Sequence, residues 1–288
     1  MIVDAHSHIR VDNNFKKNFK DYMEDLKLCN ISKAIVSIDP FISELKCNKD
    51  YYHFVSINDN NRELRTYCHS CKKETSYDYD PFEKYNEKLL SIKNDYLLPF
   101  LMLPVVNNKI KEEIEKYKKC IFGLKLYTGL SEKVLDDLED FDYDLPLLIH
   151  TGIQHNQNPK YMIKFLKKYK GYVILAHFAR FCPEVIDIIK NSPNIFVDTS
   201  PAIYLFNNYI SVKRKGGLFD KDGITSPSSL YYKAFEKFGI DKIIFGTDYP
   251  FSNRQSEVEL LQNLKISNTE YEKLTSENVR KILGGKIW

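Results

Sequence analysis

The chain has 288 residues, of which 42 are basic and 39 acidic, for a net charge of +3. Charge this close to cancelling argues against nucleic acid or a membrane surface as the main partner, since both recruit an excess of Lys and Arg. The length suits one large α/β domain with a substantial core, and no stretch approaches the roughly 20 apolar residues that span a bilayer. A cytoplasmic protein that handles a small molecule is the expectation, and assembly into a homo-oligomer is compatible with it.

The first apolar run, Ile2–Ile9, contains Asp4-Ala5-His6-Ser7-His8. Alternation along a strand turns His6 and His8 to the same side, where two imidazoles make half of a metal site. Asp4 is expected on the opposite face as a structural hydrogen-bond acceptor. Further apolar runs follow at 34–38, 97–105, 121–127, 145–151, 172–177, 195–199 and 242–247. Their near-continuous apolarity is that of parallel strands covered on both faces. Amphipathic stretches at 19–29, 109–119, 158–169, 183–191 and 228–238 lie between them, with a last helix near 269–283.

Eight strands alternating with helices predict an α/β fold, a (β/α)8 TIM barrel, as a single domain over residues 1–288. Candidate ligands stand at the C-terminal ends of five runs: His6 and His8, Lys125, His150, His177 and Asp248. That is the end at which barrel active sites are built. Residues from the first and last strands can share one metal only if the sheet closes, which favours the barrel over an open sheet.

The connection between strands 2 and 3 is a long insertion, with a helical pattern at 81–92 preceded by a polar stretch that reads as irregular. Within its 41–80 portion, Cys68-His69-Ser70-Cys71 has the spacing of a zinc knuckle. Cys47, His53, Cys68 and Cys71 are the candidate ligands of a structural zinc, with His69 as an alternative fourth. A metal cross-link would explain how a polar insertion folds. A second long loop carries Lys213-Arg214-Lys215-Gly216-Gly217, which reads either as a solvated loop or as a lid over an anionic substrate.

Taken together, D-A-H-S-H in strand 1, I-H-T-G in strand 5, A-H-F-A-R in strand 6 and G-T-D-Y-P-F in strand 8 resemble the amidohydrolase superfamily. The likeness is closest to the branch of decarboxylases and lactone hydrolases. It implies one or two divalent ions, zinc foremost, held by His6, His8 and Asp248. His150 and His177 would complete a second metal site or surround a single ion as polar contacts. In two-metal members the strand-4 lysine is carboxylated and bridges the ions, a role open to Lys125. The alternatives are a cation that binds a substrate carboxylate, or a rim lysine whose ammonium reaches water. Many relatives of this branch read G-x-K-L-H on strand 4, where this chain has Tyr127 in place of the histidine.

Asp248 and His177 are the candidate catalytic residues. A metal-bound water loses its proton near neutral pH, and Asp248 would accept that proton and return it to the leaving group. Arg180, three residues past His177, can hold a carboxylate bidentately, and with Tyr127 it is the candidate substrate contact. The expected activity is hydrolysis of an amide, lactone or ester of a small molecule. The rivals are a lyase, decarboxylating or hydrating, on the same scaffold; a deoxyribonuclease-type barrel; and a non-catalytic metal-holding accessory protein.

Overall fold

The computed structural model describes residues 1–41, 53–58, 63–67, 71–77, 82–103, 110–127, 145–152, 157–210 and 223–287. Eight parallel strands form the central sheet: β1 (Ile2–Ile9), β2 (Ile31–Ile38), β6 (Leu97–Met102), β7 (Gly123–Leu126), β8 (Leu147–Ile149), β9 (Val173–Leu175), β10 (Ile195–Asp198) and β11 (Ile243–Ile244). The remaining strands, β3 (His53–Asn58), β4 (Glu63–Tyr67) and β5 (Glu74–Tyr77), make a separate antiparallel sheet. The described helices are α1 (Phe15–Leu28), α2 (Glu83–Leu90), α3 (Ile110–Tyr117), α4 (Ile163–Lys168), α5 (Pro183–Asn191), α6 (Ala202–Leu205), α7 (Pro227–Phe238), α8 (Arg254–Gln262), α9 (Asn268–Glu272) and α10 (Asn278–Leu283).

The eight strands follow one another around the sheet in chain order, and the last returns to the first. Ala5 N donates to Phe245 O at 2.9 Å, Asp248 N to His6 O at 2.7 Å and His8 N to Tyr249 O at 2.6 Å. The sheet is therefore a nearly closed barrel with helices between its strands. Among the described residues no helix is long and apolar enough to cross a membrane.

The barrel interior is layered. Its lower part is a continuous apolar cluster of Val3, Ala5, Ile35, Leu98, Phe100, Leu148, Ile174, Phe196 and Ile244, onto which Val279, Ile282 and Leu283 of α10 pack. Above it stand the polar side chains of the strand ends. The outward faces of the same strands pack beneath the helices in a larger core.

Strand β1 shows how the two layers are reconciled. Val3 and Ala5 point into the barrel, and plain alternation would then send His6 and His8 outward. A register irregularity between Asp4 and Ser7, against Ala34 and Val36 of β2, inserts one residue. Such a bulge reverses the faces beyond it. His6 and His8 consequently turn inward, while Asp4 stays on the outer side, facing α8. The expected placement of Asp4 agrees with this, but the bulge and not alternation produces it.

The polar stretch expected to be irregular contains the three-stranded sheet β3–β4–β5; its strands are short and mostly polar, so no apolar run marked them. Of the candidate zinc ligands, Cys47 and Cys68 lie outside the described residues, as do His69 and the run 213–217. His53 opens β3 and Cys71 is exposed just before β5.

Gly123 shows how tightly the interior is filled. A Cβ there would lie 2.4 Å from the Phe100 ring, well inside contact distance. Gly123→Ala should destabilise the fold by about 1–3 kcal/mol through overpacking, measured by urea denaturation. Adding Phe100→Leu should recover part of that loss, and a double variant weaker than the sum of both singles would contradict the packing.

Candidate active site

Six side chains from five strand ends meet at the upper layer: His6, His8, Lys125, His150, His177 and Asp248. His6 and His8 approach through their Nε2 atoms at 3.2 Å. Asp248 Oδ1 is 3.3 Å from His6 Nε2 and 3.4 Å from His8 Nε2. The other ring nitrogens determine what those atoms carry. His8 Nδ1 lies 3.0 Å from the carbonyl of Ile38, which can only accept, so Nδ1 holds the proton. His6 Nδ1 lies 2.8 Å from Asp198 Oδ2 and is protonated for the same reason.

Two lone pairs and a carboxylate oxygen thus converge with no proton to share among themselves. Such a set calls for positive charge at its centre. Metal–ligand bonds of about 2.0–2.2 Å place neighbouring ligand atoms roughly 3.0–3.5 Å apart, which matches all three separations. The donor set therefore fits a divalent ion. Lys125 Nζ, 2.7 Å from His6 Nε2, supplies one hydrogen-bond donor to the group. Burial lowers its pKa to about 8, against the opposing pull of Asp248 and Asp198.

His177 and His150 form a second unit. His177 Nδ1 is 2.8 Å from Ser200 O, so its Nε2 is the acceptor for His150 Nδ1 at 3.0 Å. His150 is left with a lone pair on Nε2. Burial keeps His6, His150 and His177 well below the usual histidine pKa; Lys125 adds to this for His6 and His150, and Arg180 for His150 and His177. All three are neutral, as metal ligands or bases must be.

A second group of ligand atoms, on His6, His177 and Asp198, also lies close together. Here the hydrogen bonds are internal. Asp198 Oδ1 accepts from His177 N at 2.9 Å, Ser200 N at 3.0 Å and Ser200 Oγ at 2.8 Å, and its Oδ2 serves His6. Burial raises Asp198 to about 6. This carboxylate orients His6 and need not hold an ion itself.

Strand β9 ends at Leu175, and the chain from His177 to Phe181 is a left-handed helical turn, with φ of 58°, 56°, 46°, 53° and 49°. None of the five is glycine, and the left-handed region costs about 1–2 kcal/mol for each. With about three residues per turn, positions i and i+3 share a face. His177 and Arg180 accordingly line the cavity together, while Phe178 and Phe181 stack at 5.5 Å in the core. Phe181 stacks in turn on Phe238 of α7 at 5.8 Å, and Phe178 meets Tyr231 edge-on. This aromatic packing offsets the backbone strain. Arg180 Nε donates to Thr151 O at 3.0 Å.

A cavity of about 430 Å³ opens over the cluster, lined by His8, His150, His177, Asp248, Arg180 and Gln157 among others, with Phe41, Tyr127 and Phe251 as its aromatic side. Phe41 is edge-on to both Tyr127 and Phe251, and Tyr127 lies 4.7 Å from the His150 ring. The structure thus brings all six candidate ligands and both candidate substrate contacts to one site. The sequence reading missed Asp198, although an acid ending the run 195–199 carries the same signal that singled out Asp248. It also missed Ser200, Arg254 and Glu257, a buried acid of α8 that accepts from Ile203 N and that burial pushes up to about 8. No local pattern marks these three.

The amidohydrolase family model matches residues 111–285, more than half of the chain. No curated protein matches. Among solved structures, the chain is similar to a 2,6-dihydroxybenzoate decarboxylase from Rhizobium at 13% identity, covering 98% of each chain with a TM-score of 0.59. A Pseudomonas putida protein assigned as a 2-pyrone-4,6-dicarboxylic acid hydrolase is 12% identical, with 100% of this chain and 98% of that one covered and a TM-score of 0.60. A dihydroxybenzoic acid decarboxylase from Polaromonas, with bound manganese and 2-nitroresorcinol, is 13% identical over 98% and 96% of the two chains, with a TM-score of 0.58.

The left-handed turn makes a directional prediction. Ala234, buried in helix α7, should lose about 1.5–2 kcal/mol on change to Gly from lost burial and helix propensity. Ala179→Gly relieves a φ of 46° and should fall within about 1 kcal/mol of the wild type. Equal losses at both positions in urea denaturation would contradict a left-handed turn.

Proposed function

Because the chain belongs to the amidohydrolase family, we propose that it is a metal-dependent hydrolase acting on a small, carboxylate-bearing molecule. The observation that carries this reading is the convergence of His6 Nε2, His8 Nε2 and Asp248 Oδ1, three acceptors within 3.4 Å of one another, at the floor of a cavity of about 430 Å³. A cavity of this size suits a small ligand and not a polymer.

In this proposal His6, His8 and Asp248 hold the ion, which when bound supplies Lewis acidity and an activated water at neutral pH. The donor set suits zinc, with manganese the alternative. Asp198 and Ser200 fix His6, and Ile38 O and Ser37 Oγ fix His8. Asp248, whose side chain reaches the cavity, takes the proton of the attacking water and delivers it to the leaving group. Neutral His150 presents Nε2 as an acceptor for a substrate proton, its tautomer held by His177. Arg180 is the proposed carboxylate contact, and Tyr127 the polar group on the facing side. His6 Nε2 has one lone pair, so when His6 holds the ion the Lys125 Nζ beside it is released to act as a cation toward a substrate carboxylate; its neutral amine, favoured by burial, is the form that CO₂ converts to a carbamate.

The aromatic side formed by Phe41, Tyr127 and Phe251 favours a planar ligand, which supports a second reading, decarboxylation of an aryl acid. A structural zinc on Cys47, His53, Cys68 and Cys71 remains part of the proposal, resting on their spacing. A cytoplasmic setting accords with the unpaired thiols of Cys29, Cys120 and Cys182.

Lactone, ester and aryl carboxylates offered to the purified protein, with product and CO₂ analysis, test the reaction. Turnover of one class should be abolished by chelator and restored by Zn²⁺ or Mn²⁺. Asp248→Asn should lower kcat by about 10²–10⁴, and Arg180→Gln should raise KM by about 10-fold or more through the lost charge-assisted bond. Turnover indifferent to chelator and to Asp248→Asn would overturn the reading.

A further inference from the structure

Asp248 occupies an unfavourable backbone position. It is not glycine, yet its φ is 59°, a conformation that something around it must impose. Both of its neighbours in the chain are gripped from outside the barrel. Thr247 donates through N and Oγ1 to the two oxygens of Asp4, at 2.9 and 2.7 Å. Tyr249 N donates back to Thr247 Oγ1 at 3.2 Å, and the Tyr249 ring lies 4.1 Å from the Arg254 guanidinium carbon.

Arg254 joins these pieces. It is 1% exposed. Its Nε donates to Asp4 Oδ2 at 3.2 Å and its Nη1 to Asp25 Oδ2 of α1 at 2.6 Å. The guanidinium also lies against Tyr22 of α1, 4.5 Å from the ring. One side chain of α8 therefore ties the first strand, the first helix and the residues on either side of Asp248 into a single unit. Burying a guanidinium is costly, and with Nη2 lacking a hydrogen-bond partner this one is held by its two carboxylates and two flanking rings, all of them on elements that fix the loop carrying the proposed metal-binding carboxylate.

We propose that Arg254 is a positioning residue for Asp248: through Asp4–Thr247 on one side and Tyr249 on the other, it holds Asp248 Oδ1 against His6 Nε2 and His8 Nε2. Arg254 touches neither the metal position nor the cavity lining. The inference rests on the metal reading above for its consequence, but not for its geometry.

Arg254→Met, Arg254→Lys and Asp25→Asn test it, with Ile189→Ala, on α5 away from the site, as a control for lost stability alone. Each is titrated with Co²⁺ while its visible absorption is recorded, and Arg254→Met is crystallised without metal, or Asp25→Asn should Arg254→Met not fold. Co²⁺ affinity should fall about 10–100-fold in Arg254→Met, the range for losing an outer partner of a ligand, with altered visible bands. Arg254→Lys should recover part of the affinity, and Ile189→Ala should unfold at lower temperature with affinity and bands unchanged. In the metal-free crystal, Asp248 Oδ1 should move from the two Nε2 atoms by about 1 Å, a displacement large enough to disable a site. An unmoved Asp248 in the crystallised variant would overturn the inference. A wild type that takes up no Co²⁺ would sink the metal reading alone, because the metal-free crystal decides the position of Asp248 either way.

Discussion

The return of the last strand to the first is the constraint from which the site follows. His6 and His8 stand at one end of the chain and Asp248 near the other, and only closure of the sheet brings their acceptor atoms within 3.4 Å. Backbone bonds make the seam, from Ala5 to Phe245 and from Asp248 and Thr247 to His6. The Asp4 carboxylate reinforces it from outside by binding Thr247 and Arg254. In an open sheet of the same strands, each of these side chains would be present and they would not meet.

Closure also creates the environment that gives the residues their chemistry. The apolar lower layer, with α10 packed onto it, leaves the polar upper layer facing a low-dielectric floor. Burial there disfavours the charged forms of His6, His150 and His177, which stay neutral, and draws Lys125 down to about 8. Imidazoles whose outer nitrogens are tied to Asp198, Ile38 O and Ser200 O have only one orientation to offer. The result is a group of acceptors preorganised around a position that a cation satisfies.

Much of this was legible in the sequence because it depends on local pattern. Strand ends were visible as apolar runs, and the His6–His8 spacing needed only two residues of context. The ends of strands 1, 4, 5, 6 and 8, which carry the candidate ligands, meet because the barrel closes, as the order of the runs implies. What escaped depends on contacts far apart in the chain. Arg254 and Asp4 are 250 residues apart, and nothing near either announces the other. The bulge in β1 follows from its register against β2. The left-handed turn at His177–Phe181 contains no glycine to mark it; the aromatic stack with α7 sustains it. The strands of the insertion lacked the apolar runs on which the reading relied.

The account stands or falls on what surrounds a bound ion, and X-ray absorption spectroscopy of the zinc-loaded protein reads this directly. The account predicts a nitrogen and oxygen shell at about 2.0–2.2 Å with the outer-shell scattering of two imidazoles, kept when Cys68 and Cys71 are both changed to Ser and lost when His6 and His8 are both changed to Ala. Zinc seen only with sulfur neighbours at about 2.3 Å, unaffected by the His6 and His8 changes, would contradict it.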